Sequence, residues 1–178
     1  MPRVEPAARE GAIADRLRTR RGGHLTPLDD ALLHSEPFAD GWNSLLAAVR
    51  SQMNLPGDLR ELAISRVADL NDADYVWHAH VPLALNEGLT VEQVAALREG
   101  ADTAPLTELQ LLVRTYTDAM TRTISVSDEL SDRIHALLGT EQFVELTGTI
   151  AAYNMVSRFL VALDIGQIQE TEGSEITA

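Results

Sequence analysis

The chain of 178 residues is long enough for one domain with a sizeable core, and 45% of its residues are hydrophobic. It contains no cysteine, which excludes disulfides, thiolate nucleophiles and cysteine-ligated zinc. Its formal net charge of −13 argues against a surface for nucleic acid or anionic membranes. No apolar run approaches the roughly 20 residues that span a bilayer, and no signal-peptide pattern opens the chain, so we expect a cytoplasmic protein.

The charge is distributed unevenly along the chain. Residues 1–21 contain six arginines against three acidic residues, whereas the remainder is strongly acidic. We expect residues 1–24 to form a basic arm, helical over 5–20, that lies on the acidic surface of its own chain or of a neighbouring subunit. Binding of a polyanion by this arm is the alternative interpretation.

Helix-start and helix-stop residues divide the rest of the chain into closely spaced helices. A glycine pair at 22–23 ends the arm, and Thr26 with Pro27 is typical of an N-cap followed by proline at the first helical position. Asp72 is a suitable N-cap for the helix after it, and Thr90 begins a capping-box pattern. Apolar spacing of about 3.6 residues then predicts helices over 28–34, 36–53, 56–70, 73–87, 91–99, 107–123, 127–138 and 140–163.

No segment shows the two-residue alternation that is typical of a half-buried strand, so the predicted class is all-α. We expect residues 25–166 to form a single domain of about eight helices joined by short loops. The polar segment 167–178 is expected to be a tail outside this helical bundle.

The helices on either side of a turn at 71–72 carry a glutamate and a histidine at matching heights. At 1.5 Å per residue, Glu61 and His80 each lie about 13–16 Å from the turn, so they face each other if the helices pack antiparallel. Burial would raise the pKa of the carboxyl group and couple the two titrations. Two interpretations remain open, an acid/base pair in an active site or a buried pair that is purely structural.

Helical spacing also sorts the neighbours of His80. Trp77 lies three residues before it on the same face, and we expect Trp77 and Tyr75 to line a pocket beside the histidine. His78 is rotated by about 200° from His80, which makes the HAH sequence a poor metal site. We therefore expect no bound metal.

The sequence RELAI…ADYVWHAHVPLALNEGL resembles the carboxymuconolactone decarboxylase and alkylhydroperoxidase D-like superfamily. The later segment AAYNMVSRFLVAL resembles the C-terminal core helix of the same superfamily, so that the resemblance covers roughly residues 25–165. It implies an all-helical subunit that forms a homo-oligomer, as a trimer or hexamer or else as a dimer. The polypeptide would then bind a small molecule, and neither nucleic acid nor a membrane.

In this resemblance Glu61 matches the proton-relay glutamate and His80 matches the histidine of the family motif. The two cysteine positions of the thiol branch fall on Ala73 and Val76, and the relay histidine between them falls on Tyr75. The peroxidase and disulfide-reductase chemistry of that branch needs a thiolate and a resolving partner, so it is not available to this chain.

The decarboxylase branch of the family often reads Y-E-W-x-x-H at the same place. Tyr75, Trp77 and His80 match this pattern, but Val76 replaces its glutamate. The resemblance therefore implies a cofactor-independent lyase, decarboxylase or isomerase acting on a small carboxylated or lactone-type molecule, with His80 transferring the proton and Glu61 orienting it. A non-catalytic ligand-binding or assembly protein on the same scaffold is the alternative.

Four further residues are candidates for particular roles. Arg158 would clamp a substrate carboxylate or form a salt bridge. His34 would close the pocket from the N-terminal side or cap its own helix. Trp42 belongs either to the core or to the pocket wall, and Arg66, among apolar neighbours, is expected to form a structural ion pair.

Overall fold

Helices account for all the regular secondary structure of residues 2–166, which are the residues that the computed structural model describes. Within this range there is no β-strand, so the predicted all-α class is confirmed. No helix among these residues is long and apolar enough to cross a membrane. The helices are α1 (Ala12–Arg20), α2 (Pro27–Leu32), α3 (Glu36–Ser51), α4 (Gly57–Leu70), α5 (Asp74–Asn86), α6 (Val91–Ala95), α7 (Glu108–Arg122) and α8 (Asp128–Ala162).

Helix α4 forms the centre of the molecule. It packs against α5, α7 and α8, and nearly every side chain from Leu59 to Ala68 is buried. A helix that is covered all round must satisfy its polar groups internally. Arg66, only 2% exposed, does so through Asp118 at 2.6 Å, Asp69 at 2.9 Å and the Leu97 carbonyl at 2.8 Å, which confirms the predicted structural ion pair.

The turn between α4 and α5 differs from the prediction in one respect. Asp72 does not cap α5; it has a φ of 50° and follows the C-cap residue of α4. The Ala73 N–H donates to the Ala68 carbonyl at 2.9 Å and the Asp72 N–H donates to the Asp69 carbonyl at 3.3 Å, the bond pair of a Schellman motif. Asp72 therefore ends α4, since aspartate tolerates the left-handed region, and Ala73 takes the N-cap position of α5 without a side-chain bond.

Other helix boundaries follow the predicted signals. Capping boxes are present at Thr26 and at Thr90, and Gly88 follows the C-cap of α5 with a φ of 104°. The predicted break at Gly139 is also present, since this glycine has a φ of 74° between two helical stretches of α8. The predicted tail, 167–178, lies outside the described residues.

The N-terminal arm is less helical than predicted. Helix α1 begins only at Ala12, because Gly11 before it has a φ of 101° and the segment 2–11 bonds to other parts of the chain instead. The Arg3 N–H donates to the Leu163 carbonyl at 2.9 Å, and Arg9 contacts both carboxylate oxygens of Asp30 at 2.5 and 2.6 Å. The arm thus lies on the acidic surface of its own chain, one of the two expected placements.

Candidate active site

The antiparallel packing of α4 and α5 brings Glu61 and His80 into direct contact. Glu61 Oε2 lies 2.6 Å from His80 Nδ1, and the two residues are 2% and 1% exposed. The predicted pairing across the hairpin is therefore confirmed.

Hydrogen-bond donors around His80 define its tautomer. An ionised carboxylate only accepts, so Nδ1 carries the proton that is donated to Glu61. Arg50 Nη2 lies 2.9 Å from His80 Nε2, and a guanidinium only donates, so Nε2 is the acceptor. His80 is therefore a neutral imidazole with its lone pair on Nε2.

The pKa values of both members of the pair lie below their ordinary values. Burial is the largest cause that lowers the pKa of His80, and the charges of Arg50 and Arg60 lower it further. Together they outweigh the Glu61 carboxylate, which acts to raise it. Burial alone would raise the pKa of Glu61, as predicted. The hydrogen bond from His80 and the hydrogen bond and positive charge of Arg60 act in the opposite direction, and the pKa is lowered instead. Arg60 Nε donates to Glu61 Oε1 at 3.2 Å. The site thus holds an ionised carboxylate beside a neutral base.

Two further side chains complete this site. Arg50 Nε donates to the Tyr153 hydroxyl at 2.8 Å, and that hydroxyl lies 3.2 Å from His80 Nε2. Burial raises the pKa of Tyr153, so its hydroxyl keeps its proton and can donate toward Nε2. The sequence interpretation missed both residues, which lie on α3 and α8. The available signals were an arginine at the end of the apolar face of α3 and a tyrosine within the apolar sequence of α8.

A cavity of about 220 Å³ adjoins Nε2, because His80, Arg50 and Tyr153 all line it. The last turn of α1 contributes Arg20, and Arg21 follows it at the rim. Apolar side chains form the remaining wall and include Leu28, Trp42, Leu46, Val76, Val156 and Leu160. The lining of the cavity therefore combines basic and polar side chains with apolar ones.

Of the predicted pocket residues on and around α5, Tyr75 and Trp42 line this cavity and Trp77 does not. At about 100° per residue, Val76 lies about 40° to one side of His80 and Trp77 about 60° to the other. The cavity opens on the Val76 side. Trp77 is buried instead under Arg98, whose guanidinium carbon lies 3.5 Å from the centre of the ring, so the structure places Trp77 outside the lining of this cavity.

His34 and Arg158 are also absent from the cavity lining. His34 is exposed at the end of α2 and bonds to the Glu5 carbonyl at 2.7 Å, so it secures the arm. Arg158 is exposed on α8 and donates to the side-chain oxygen of Asn154 at 2.5 Å. It lies five residues after Tyr153, which turns it by about 140° from the cavity face.

His78 lies on the opposite side of α5 from His80, as predicted. It is exposed, and its Nδ1 bonds to the Asp74 carbonyl at 2.8 Å. Among residues 2–166, no group of three or more His, Cys, Asp or Glu side chains is arranged to hold a metal ion.

The segment 36–119 matches the carboxymuconolactone decarboxylase family. It extends from α3 into α7 and contains Glu61 and His80, whereas Arg20 and Tyr153 lie outside it. No curated protein matches the chain significantly.

Two crystal structures share the fold. The first is a protein of unknown function from Agrobacterium tumefaciens, for which an antioxidant defence role as AhpD has been proposed; it is 20% identical, with a TM-score of 0.69 over 76% of this chain and 93% of that one. The second is an uncharacterised peroxidase-related protein from Silicibacter sp. TM1040; it is 15% identical, with a TM-score of 0.74 over 92% of this chain and 87% of that one.

These matches confirm the resemblance that the hairpin sequence indicated. Residues 36–119 are similar to the carboxymuconolactone decarboxylase family, and the helices have the AhpD-like arrangement. The family match supports a general enzymatic role.

Proposed function

We propose that the protein is a cofactor-independent acid/base enzyme, a lyase, decarboxylase or isomerase, that acts on a small carboxylated or lactone-type molecule. The observation that carries the proposal is the contact of Glu61 with His80, since it leaves a neutral imidazole with its lone pair at a cavity. A neutral, oriented imidazole is the form that a general base requires.

In the proposed step, His80 Nε2 removes a proton from a carbon next to a substrate carbonyl. The Glu61 carboxylate, 2.6 Å from Nδ1, balances the positive charge that forms on the ring. Arg50 and Tyr153 lie on either side of Nε2 and can donate to the enolate oxygen. Base catalysis typically contributes about 10²–10⁴ in rate, and each oxyanion donor about 10²–10³.

The same groups support two outcomes. In an isomerisation, the imidazolium returns its proton to a different carbon of the enolate. In a decarboxylation, the bond to the carboxyl carbon of the substrate carboxylate breaks, its electron pair enters the enolate and carbon dioxide leaves. His80 Nε2 then takes up a proton from water and transfers it to the enolate carbon. Neither outcome requires electrons from outside the substrate.

A thiol peroxidase is not part of this proposal. The chain has no cysteine, and Ala73 and Val76, which stand at the thiol positions, are 1% and 2% exposed in the core. Thiol-based reduction of a peroxide needs a thiolate that attacks and a second thiol that resolves the product.

Exchange of carbon-bound hydrogen for deuterium tests the proposal without a known substrate. We would incubate the protein in D₂O with keto acids, butenolide lactones and enolisable dicarboxylates, and follow the loss of C–H signals by proton NMR. We expect His80→Gln to slow exchange by about 10²–10⁴ while the helical circular dichroism is kept. The exposed His78→Gln on the same helix is the matched control. Equal exchange rates in all three proteins would contradict the proposed role of His80.

A non-catalytic ligand-binding protein is the second candidate, and one observation favours it. Arg50 Nη2 donates to His80 Nε2 at 2.9 Å, so the lone pair of the base already has a hydrogen-bond partner within the protein. Ligand binding without exchange in any of the three compound classes would support this candidate against the enzyme.

A further inference from the structure

The cavity beside His80 has an unusual charge for so acidic a chain. Three arginines line it, Arg20, Arg21 and Arg50, and its described lining includes no aspartate or glutamate. The chain as a whole carries a formal charge of −13. Positive charge is therefore concentrated at this one concave surface.

The three guanidiniums differ in how far they are neutralised. Arg21 forms an ion pair with the fully buried Asp29 at 2.7 Å. Arg50 donates to two neutral groups, the Tyr153 hydroxyl at 2.8 Å and His80 Nε2 at 2.9 Å. Arg20 Nε donates to the neutral side-chain oxygen of Asn43, and its Nη2 is buried without a hydrogen-bond partner. Two guanidiniums of the cavity thus lack a direct carboxylate partner.

Arg20 shows the electrostatic cost of this arrangement. Burial lowers its pKa, and the positive charges of Arg21 and Arg50 lower it further. A buried guanidinium nitrogen without a partner is unfavourable, and an anion in the cavity would remove this penalty.

We propose that Arg20 and Arg50 together bind the carboxylate of a small organic ligand, so that helix α1 supplies a substrate-binding residue to the site. This inference rests on the proposed function only in treating that ligand as the substrate. Arginine binds carboxylates through two parallel hydrogen bonds, and the apolar side chains of the lining suit an organic group attached to the carboxylate. Helix α1 lies outside the segment that matches the family.

The carboxylate would also act on His80. Arg50 Nη2 donates to His80 Nε2 at 2.9 Å, and a ligand carboxylate is a stronger acceptor for the same donor. Once Arg50 turns to the ligand, Nε2 is free and an anion lies nearby. Both changes raise the pKa of the His80 ring, so ligand binding makes Nε2 available as a base.

Binding of benzoate, measured by calorimetry, tests the inference, with benzamide as the neutral isostere and inorganic phosphate as a second anion. We expect Arg20→Gln to weaken benzoate binding about 10- to 100-fold and to leave benzamide unchanged. Arg16→Gln is the matched control because it removes the same charge from α1, but Arg16 is exposed and pairs with Asp40 at 2.7 Å. We expect that control to change benzoate affinity about twofold or less.

Three results would overturn the inference. The first is that the wild type does not bind benzoate at 50 mM. The second is that Arg20→Gln and Arg16→Gln lose the same amount of benzoate affinity. The third is that the wild type binds phosphate more tightly than benzoate. Arg20→Lys, which keeps the charge, should recover part of the affinity if Arg20→Gln folds poorly, and no recovery in a folded Arg20→Lys would count against the inference.

An independent readout is the ring nitrogen NMR spectrum of His80. We expect benzoate to raise the pKa of His80 in the wild type and in Arg16→Gln, but much less in Arg20→Gln. Failure of this inference is separable from failure of the proposed function. Benzoate binding through Arg20 without any deuterium exchange leaves the inference standing alone, whereas exchange that is insensitive to Arg20→Gln leaves only the proposed function.

Discussion

Replacing Glu61 by glutamine keeps the shape of the side chain and removes its charge. In the native site both oxygens of Glu61 accept, one from His80 Nδ1 at 2.6 Å and the other from Arg60 Nε at 3.2 Å. A glutamine has only one accepting oxygen. If that oxygen faces Arg60, the amide group must donate to Nδ1, the ring proton moves to Nε2, and Nε2 then opposes the donor on Arg50.

The expected cost follows from this conflict. Removing one partner of a buried charged pair typically costs about 3–5 kcal/mol, and a hydrogen bond to a charged group contributes about 1.5–3 kcal/mol. Because glutamine keeps one of the two bonds, we expect Glu61→Gln to lower the free energy of unfolding by about 2–3 kcal/mol. Proton transfer by His80 should also slow by about 10²–10⁴, because the tautomer changes.

Urea denaturation at pH 7.5 and deuterium exchange measure these two effects. Glu87→Gln is the matched control, since Glu87 also accepts from Arg60, at 3.0 Å, but its side chain is 40% exposed. We expect this control to cost less than about 1 kcal/mol and to leave exchange unchanged. If Glu61→Gln is as stable as Glu87→Gln and exchanges hydrogen at the same rate, the reasoning about the charged pair is wrong.

Two other predictions concern buried charged side chains, first the pair Glu61 and His80 and then Arg66. The pKa of His80 and that of Glu61 are both lowered in the folded chain, so the unfolded chain binds more protons at acid pH. The free energy of unfolding should therefore fall as the pH drops below about 6.5, and fall further below about 4.5, by at most about 1.4 kcal/mol per pH unit for each group. Urea midpoints measured from pH 7.5 to 4 check this dependence. The variant His80→Gln should remove the part of the decline that begins at about pH 6.5. Arg66→Met should cost about 3–5 kcal/mol because it removes the buried guanidinium that donates to Asp118, Asp69 and the Leu97 carbonyl. Arg133→Met, at an exposed pair 3.5 Å apart, should cost less than about 1 kcal/mol, and equal thermal midpoints in the two variants would contradict this.

The sequence was sufficient to predict the hairpin and its central contact. Glu61 and His80 are only 19 residues apart and lie on two helices joined by a short turn, so residue counting and the rise per residue were enough. Helix ends were predictable where a side chain caps the backbone, as at Thr26 and Thr90. Asp72 was assigned to the wrong helix because the same residue type favours an N-cap and tolerates the left-handed conformation.

The rest of the site depends on tertiary packing. Arg50 and Tyr153 lie 30 and 73 residues from His80 along the chain, and they meet it only because α3 and α8 cross α5 at a particular place. No pattern of neighbouring residues in the sequence predicts where these helices pack. Trp77 illustrates the same limit, since helical spacing placed it near His80 but could not tell which side of the histidine faces the cavity.

The short Schellman turn between α4 and α5 limits how the length of this chain can change. Only residues 71–73 separate the two helices, and their backbone bonds fix the rotation of α5 relative to α4. One inserted or deleted residue would turn α5 by about 100° and carry His80 away from Glu61. The loop 100–106 sets no such geometry, because neither helix beside it carries a residue of the cavity. Length variation among relatives is therefore expected at that loop and not at the hairpin turn, where an insertion would be as damaging as the loss of the histidine itself.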